Sequence, residues 1–208
     1  MSSCTHTLAT PGDTILTLNN PSAPFAVWDE AGSDKSAVNS DLLLSTTCPP
    51  VTYRVSSQHL IQASSFFKAA LTGRWKEGST GPDKCHEIST EDWDAEALRI
   101  VLCLIHNRTR EIPRTVTLEM LCKIAVLVDY YEFHEALHFF ASLWMDHLQC
   151  SFPTTYGRDL MLWICISWVF KDATIFKNAT KLAIEHSPGK VPTLHLPIPE
   201  SVISRFGA

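Results

Sequence analysis

The sequence has little of what marks an enzyme or a nucleic-acid-binding protein. Its eight glycines include no phosphate-binding loop, and no G-x-S-x-G motif is present to carry a nucleophilic serine. The formal net charge is -5, so the chain lacks the large basic surface that binds nucleic acid. We therefore expect a protein that is not an enzyme, holds no cofactor and has no nucleic-acid partner.

Long apolar runs and paired cysteines are also missing. The longest nearly continuous apolar run spans residues 160–170. A helix needs about 20 apolar residues to cross a bilayer, so this run is too short. The N-terminus has no basic stretch followed by an apolar segment, and the seven cysteines form no Cys-x-x-Cys pair. These features predict an intracellular protein, cytoplasmic or nuclear, without a membrane partner.

What the chain does have is 208 residues, of which 45% are hydrophobic and only 19% charged. A chain of that length can bury about 70% of its unfolded surface, which is enough for one large domain or for a domain with an extension. The low charge content predicts that part of the surface is apolar and is available to a protein partner.

The clearest local pattern lies in residues 51–73, VTYRVSSQHLIQASSFFKAALTG. Residues 51–55 alternate apolar and polar, as in a strand with one buried face. Ser56 and Ser57 then offer hydroxyl groups that can cap a helix. Apolar residues follow at helical spacing, and they are Leu60, Ala63, Phe67, Ala70 and Leu71. The segment predicts a strand followed by a pair of short helices.

Further strands are predicted nearer the N-terminus. Residues 13–18, DTILTL, alternate as a strand, and a turn signal separates them from a second extended run at 25–29. We expect these two runs to form a hairpin, followed by an insertion near residues 28–50. Within the insertion, residues 41–46, DLLLST, are another strand candidate.

Downstream of the helix pair the pattern is helical. A helix is predicted from Ser89, with Asp92 at capping-box-like spacing. Pro113 then favours an extended link, and Thr117 is a suitable cap for the helix that follows. The pair Cys85-His86 is expected in an exposed loop.

The C-terminal part predicts two more helices in residues 155–187, the first built around the apolar run at 160–170. A helix this apolar on all sides must be covered by protein. The Pro-rich tail, residues 191–208, is expected to lie extended over the surface, with a short helix from Glu200 to Arg205.

This pattern resembles the BTB/POZ domain, an interaction fold. The residues that match the family's second strand and first two helices are Tyr53, Val55, Leu60, Ser64, Phe66, Phe67 and Ala69. The sequence Leu127-Val128-Asp129-Tyr130-Tyr131 matches a later helix, where the family shows a small apolar residue, Asp and a Tyr. At Ser56-Ser57 and at Ser65 the chain departs from the family's His-Lys and Pro. It is therefore identified as a divergent, fungal-type, stand-alone member.

The resemblance implies an α+β fold, with a BTB/POZ-like helical cluster, a short and mainly N-terminal β-sheet, and a C-terminal helical extension. Residues 1–150 would form the BTB/POZ-like domain and residues 151–208 the extension. The family's first strand has two candidates, which open at Asp13 and at Asp41, and Asp13 is favoured.

The function implied by the resemblance is protein-protein interaction, with the chain self-associating as a homodimer. The residues implied at the partner-binding surface are Leu60, Ile61, Ser64 and Phe67. Many family members recruit a cullin scaffold of a ubiquitin ligase through a hydrophobic-x-Glu motif. Thr109-Arg110-Glu111 stands at that place here, so Glu111 is the candidate contact. A cullin-type ligase adaptor is the alternative function.

One motif carries a different chemistry. Residues 134–138 read His-Glu-Ala-Leu-His, the pattern in which two histidines one helical turn apart bind zinc and the glutamate activates water. His134 and His138 are therefore the ligands of a zinc-hydrolase alternative. Ala141 and Trp144 stand where the extended motif has Gly and a third His. Helix packing explains the spacing without a metal, and we favour that interpretation.

Overall fold

The computed structural model describes residues 6–21, 23–28, 48–72, 85–187 and 191–204. The strands of these ranges are β1 (His6–Thr7), β2 (Thr14–Asn19), β3 (Val51–Val55) and β4 (His86–Glu91). The helices are α1 (Ser57–Ala63), α2 (Ser65–Thr72), α3 (Ala95–Ile105), α4 (Leu118–Tyr131), α5 (His134–Leu148), α6 (Arg158–Val169), α7 (Ala173–His186) and α8 (Glu200–Ile203). The predicted α+β class is confirmed.

The strands form one mixed sheet in the order β1-β3-β2-β4. β2 runs antiparallel to β3 and parallel to β4, so that Leu16 lies opposite Tyr53 on one side and Ile88 on the other. All three side chains are buried, which places one face of the sheet against the helices. The Tyr53 hydroxyl donates a 2.9 Å hydrogen bond to the carbonyl of Ala95, where α3 begins.

The predicted N-terminal hairpin does not form. Residues 23–28 contain no strand, and β2 pairs with β3 and β4 instead. Since both hydrogen-bonding edges of β2 are occupied, none is left for the run at 25–29. The strand opening at Asp13 is β2, whereas the candidate at 41–46 lies outside the described residues.

The predicted helix start at Ser89 is also wrong. Ser89 lies within β4, and α3 begins at Ala95 with Asp94 as its N-cap. Pairing with the distant strand β2 extends residues 86–91, and Asp92, at φ 64°, then turns the chain toward the helix. The same pairing places His86 in the strand and not in the predicted loop.

α6 packs between α4 and α7. The prediction that protein covers the apolar run at residues 160–170 is therefore confirmed. Among residues 160–170 only Trp168 is exposed. Arg158, at the start of α6, donates to the Glu119 carboxylate at 2.7 Å and to the Ala26 carbonyl at 2.8 Å. The boundary predicted at residue 150 falls between α5 and α6 and stays a prediction. No helix in the described ranges is long and apolar enough to cross a membrane.

The C-terminal tail packs more closely than predicted. Val191, Leu196 and Ile198 are buried members of the hydrophobic core. The segment is not extended throughout, because it turns at Leu194 and His195, which both have positive φ, and the turn brings apolar side chains on either side of it into the core. Residues 23–27 and parts of 191–203 line a cleft of about 1260 Å³ beside α4. The short helix predicted from Glu200 is present as α8.

Candidate protein-binding surfaces

α1 is held at its first turn by residues that are remote in sequence. The Asp13 carboxylate accepts hydrogen bonds from the Ser57 backbone N–H at 2.7 Å and from the Ser57 hydroxyl at 2.6 Å. Ser56, the N-cap, makes no capping bond with its own side chain. Partial burial raises the pKa of Asp13, but the hydrogen bonds from Ser57 outweigh it and hold that pKa below its ordinary value. The carboxylate that opens β2 therefore caps α1.

His106 supplies a second remote contact to this turn. Its Nε2 atom accepts the Ser56 backbone N–H at 3.0 Å, and its Nδ1 lies 2.8 Å from the Leu102 carbonyl. These partners fix a neutral ring that donates from Nδ1 and accepts at Nε2. Burial lowers the pKa of His106, against the opposing effect of the Leu102 carbonyl. No local sequence pattern indicates this role for His106.

Most of the residues predicted to contact a partner are interior. Leu60, Ser64 and Phe67 are buried within this chain, so they support the helix pair from inside and offer no surface. The Ser64 hydroxyl donates to the Tyr131 carbonyl at 2.6 Å and accepts the Phe67 N–H at 3.0 Å. It thus caps α2 and ties the helix pair to the end of α4.

Ile61 is the predicted contact residue of α1 that does reach the surface. It is partly buried, and Gln58 and Gln62 beside it are exposed. Residues three and four apart share one helix face, so these three side chains form the outer face of α1. The helix contains no Asp, Glu, Lys or Arg, and this face is therefore uncharged.

Glu111 is exposed, but its carboxylate already has partners within the chain. It lies in a short 3-10 helix, Thr109–Glu111, after α3. Arg108 is 2.6 Å from one carboxylate oxygen and Arg99 is 3.9 Å from the other. A cullin contact at Glu111 stays a prediction, and any such partner would have to compete with these two arginines.

The H-E-x-x-H segment opens α5 and packs as a helix. Leu137, Ala141 and Trp144 are buried on its inner side, whereas His138 is exposed. His134 lines a cleft of about 390 Å³ with Trp168 and Phe176 of α6 and α7. In the part of the chain that the structure describes, no group of three or more His, Cys, Asp or Glu side chains is placed to hold a metal ion.

A further surface was not predicted from the sequence, and we call it the aromatic notch. It consists of the exposed Phe66 and Tyr130 and the half-buried Trp93, where α2, the end of β4 and the end of α4 meet. The Tyr130 ring centroid lies 5.7 Å from that of Phe66 and 5.2 Å from that of Trp93. Tyr130 is 55% exposed, although both neighbours contact it. Such a surface suits a partner better than solvent.

The polar groups below the notch are satisfied by one another. The Trp93 Nε1–H donates to the Thr90 hydroxyl at 2.7 Å, and the Thr90 and Tyr131 hydroxyl oxygens are 2.8 Å apart. Tyr131 is buried, and burial raises its pKa against the opposing hydrogen bonds from Thr90 and Trp93. The network fixes the orientation of the Trp93 ring, so the notch is a rigid feature of the fold.

Comparison with known proteins adds no relative. No protein-family model matches this chain, and a search of the curated proteins finds no match.

Proposed function

We propose that this chain is a non-enzymatic, intracellular protein-interaction module of the BTB/POZ type, which associates with itself through the outer face of α1. The order of its elements supports the proposal. Strands β2 and β3, the helix pair α1 and α2, the third helix α3, an extended link and the helices α4 and α5 follow in the order that the resemblance implies.

The observation that carries the proposal is the contrast between the two sides of α1. Its inner side is fixed by buried Leu60, and its first turn is held by Asp13 and His106. Its outer side, Gln58, Ile61 and Gln62, has no such ties among the hydrogen bonds within the described residues. A rigid helix whose outer face makes no side-chain hydrogen bonds with the described residues is suited to packing against a second copy.

The absence of charge on this face matters because the chain as a whole carries a formal charge of -5. A two-fold interface places the same patch of one copy against that of the other. Any carboxylate near the axis would then face its own copy across the interface. An uncharged row built around Ile61 avoids that repulsion.

The test is molar mass by light scattering over a range of protein concentrations. We expect the unmodified chain to be a dimer and Ile61→Asp to be a folded monomer, because the change places two carboxylates against each other at the axis. Ile184→Asp is the matched control, since Ile184 is an exposed isoleucine on α7 and is not part of the outer face of α1. That variant should stay dimeric.

Circular dichroism on the same samples separates loss of association from loss of fold. A folded dimer after Ile61→Asp would exclude this interface, and an unmodified chain that is monomeric at all concentrations would exclude self-association. Leu60→Asp is unsuitable as a test because Leu60 is fully buried, and the charge would unfold the chain.

A further inference from the structure

The sheet ends at β4, whose outer edge carries no strand among the described residues. The backbone N–H groups of His86 and Asp92 donate to the Asp13 and Asn19 carbonyls beside β2. Because successive residues of a strand point their backbone groups to opposite sides, those of Glu87, Ser89 and Glu91 point away from β2. These three residues present a row of donors and acceptors to which an extended peptide could add.

The aromatic notch lies beside this edge and contains two cavities, both of which are lined in part by Tyr130. The smaller, about 100 Å³, is lined largely by apolar groups, among them Phe66, Phe67 and Ile88. The larger, about 400 Å³, is lined by Ser89, Thr90, Glu91, Trp93 and Tyr130. Both cavities include Ser89 and Thr90, so a chain running along β4 would pass over both.

The chemistry of the two cavities differs. The smaller one suits an aliphatic side chain. The larger one is lined by Glu91 as well as by Trp93 and Tyr130, and aromatic faces and a carboxylate both attract an alkylammonium or guanidinium group. No ion pair within the described residues includes Glu91 or Glu87.

We propose that the β4 edge and the aromatic notch together bind an extended, basic peptide segment of a partner protein, with an aliphatic side chain and a Lys or Arg two residues apart. Residues two apart on a strand point to the same side, so one would enter each cavity. The peptide backbone would pair with Glu87, Ser89 and Glu91. This surface is separate from the outer face of α1, and binding there does not depend on dimer formation.

Charge disfavours a second copy of this chain as the strand that adds here. Two β4 strands paired antiparallel about Ser89 would place Glu87 of each copy opposite Glu91 of the other. Like charges directly opposite each other on neighbouring strands are destabilising. A basic strand gains from the same two glutamates, which therefore select the partner as well as attract it.

The test uses the full chain, labelled with ¹⁵N, and a short synthetic peptide of threonines with Val and Arg two residues apart. We expect the amide signals of Glu87, Ser89 and Glu91 to shift on titration, and the affinity to fall as salt is added. A peptide with Glu in place of Arg, and one with methylated backbone nitrogens on its pairing edge, should each bind at least about tenfold more weakly.

Variants of the chain locate the site. Glu91→Lys and Tyr130→Ala should each weaken binding about tenfold, whereas Glu135→Lys, an exposed change of equal charge on α5, should not. The proposal is overturned if the β4 amides do not shift, if the acidic peptide binds as well as the basic one, or if Glu135→Lys weakens binding as much as Glu91→Lys. Light scattering on each variant reports the α1 dimer separately.

Discussion

Among the described helices whose first turn is capped by a side chain, two kinds of cap can be compared. α3, α4 and α7 are capped by the residue directly before them, since Asp94, Thr117 and Asp172 accept N–H bonds at 2.9, 3.1 and 2.8 Å. α1 is different, because its cap comes from Asp13 at the start of β2 and from His106 at the end of α3.

The difference shows what each helix start contributes to the molecule. A simple local cap such as Thr117 or Asp172 bonds the helix that it begins. The remote cap of α1 also joins two parts of the sheet-and-helix core, so it fixes where α1 lies as well as whether it forms. Since α1 carries the proposed self-association face, its position matters more for function than that of the other helices.

The largest effect that follows from this comparison is expected for Asp13→Ala. Both Ser57 donors lose a charged acceptor, and we expect the free energy of unfolding to fall by about 2 kcal/mol. Asp13→Asn, which keeps one acceptor oxygen, should lose about half as much. Urea unfolding followed by circular dichroism measures the change. If Asp13→Ala costs no more than the local-cap changes, the remote cap has no special weight.

An intermediate effect is expected for Asp94→Ala. The Asp94 side chain caps α3 and also accepts from the Lys123 ammonium at 2.9 Å. Thr117→Ala and Asp172→Ala, which remove simple caps, should each cost about 1 kcal/mol, and Asp94→Ala slightly more. The same urea experiment tests this order. Mass measurements should show that none of these three changes alters self-association, whereas Asp13→Ala weakens it.

The smallest effect is a pH dependence from His106. Its pKa is lower in the folded chain than the ordinary 6.5, so the unfolded chain binds a proton first as pH falls. The stabilisation that neutral His106 gives the folded chain is therefore fully present above pH 6.5, and it is lost as the pH falls through the pKa of His106 in the folded chain. His106→Gln should remove this part of the slope. The pKa of Asp13 is also lower in the folded chain than its ordinary 3.8. The stabilisation from Asp13 is therefore fully present above pH 3.8 and is lost as the pH falls through the folded pKa.

The features that were predictable from sequence are local ones. The cap at Thr117 and the strand β3 each depend on residues that are close together in the sequence, and both are present as predicted. The alternation of β3 holds only in part, because Thr52 is buried as well as Tyr53 and Val55. β4 was missed because its extended form depends on parallel pairing with β2, far away in sequence. The bonds from Asp13 and His106 to α1 were missed for the same reason.

The aromatic notch was predictable only in part. Tyr130 falls outside the buried stripe of α4, so its exposure follows from the helical period. That Phe66 and Trp93 meet it depends on how α2 and β4 pack around α4, which no local pattern reveals. Likewise, the burial of Leu60 and Phe67 could be foreseen from their spacing, but it argues against the contact role implied for them by the resemblance.

The cleft between residues 23–27 and 191–203 imposes an order on synthesis. Its first wall leaves the ribosome when most of the helices that will support it do not yet exist, and its second wall is made only after α7. Val191, Leu196 and Ile198 therefore enter the core last. Until they do, the apolar side chains of the first wall lack part of their final neighbours, and apolar surface stays exposed there on the nascent chain.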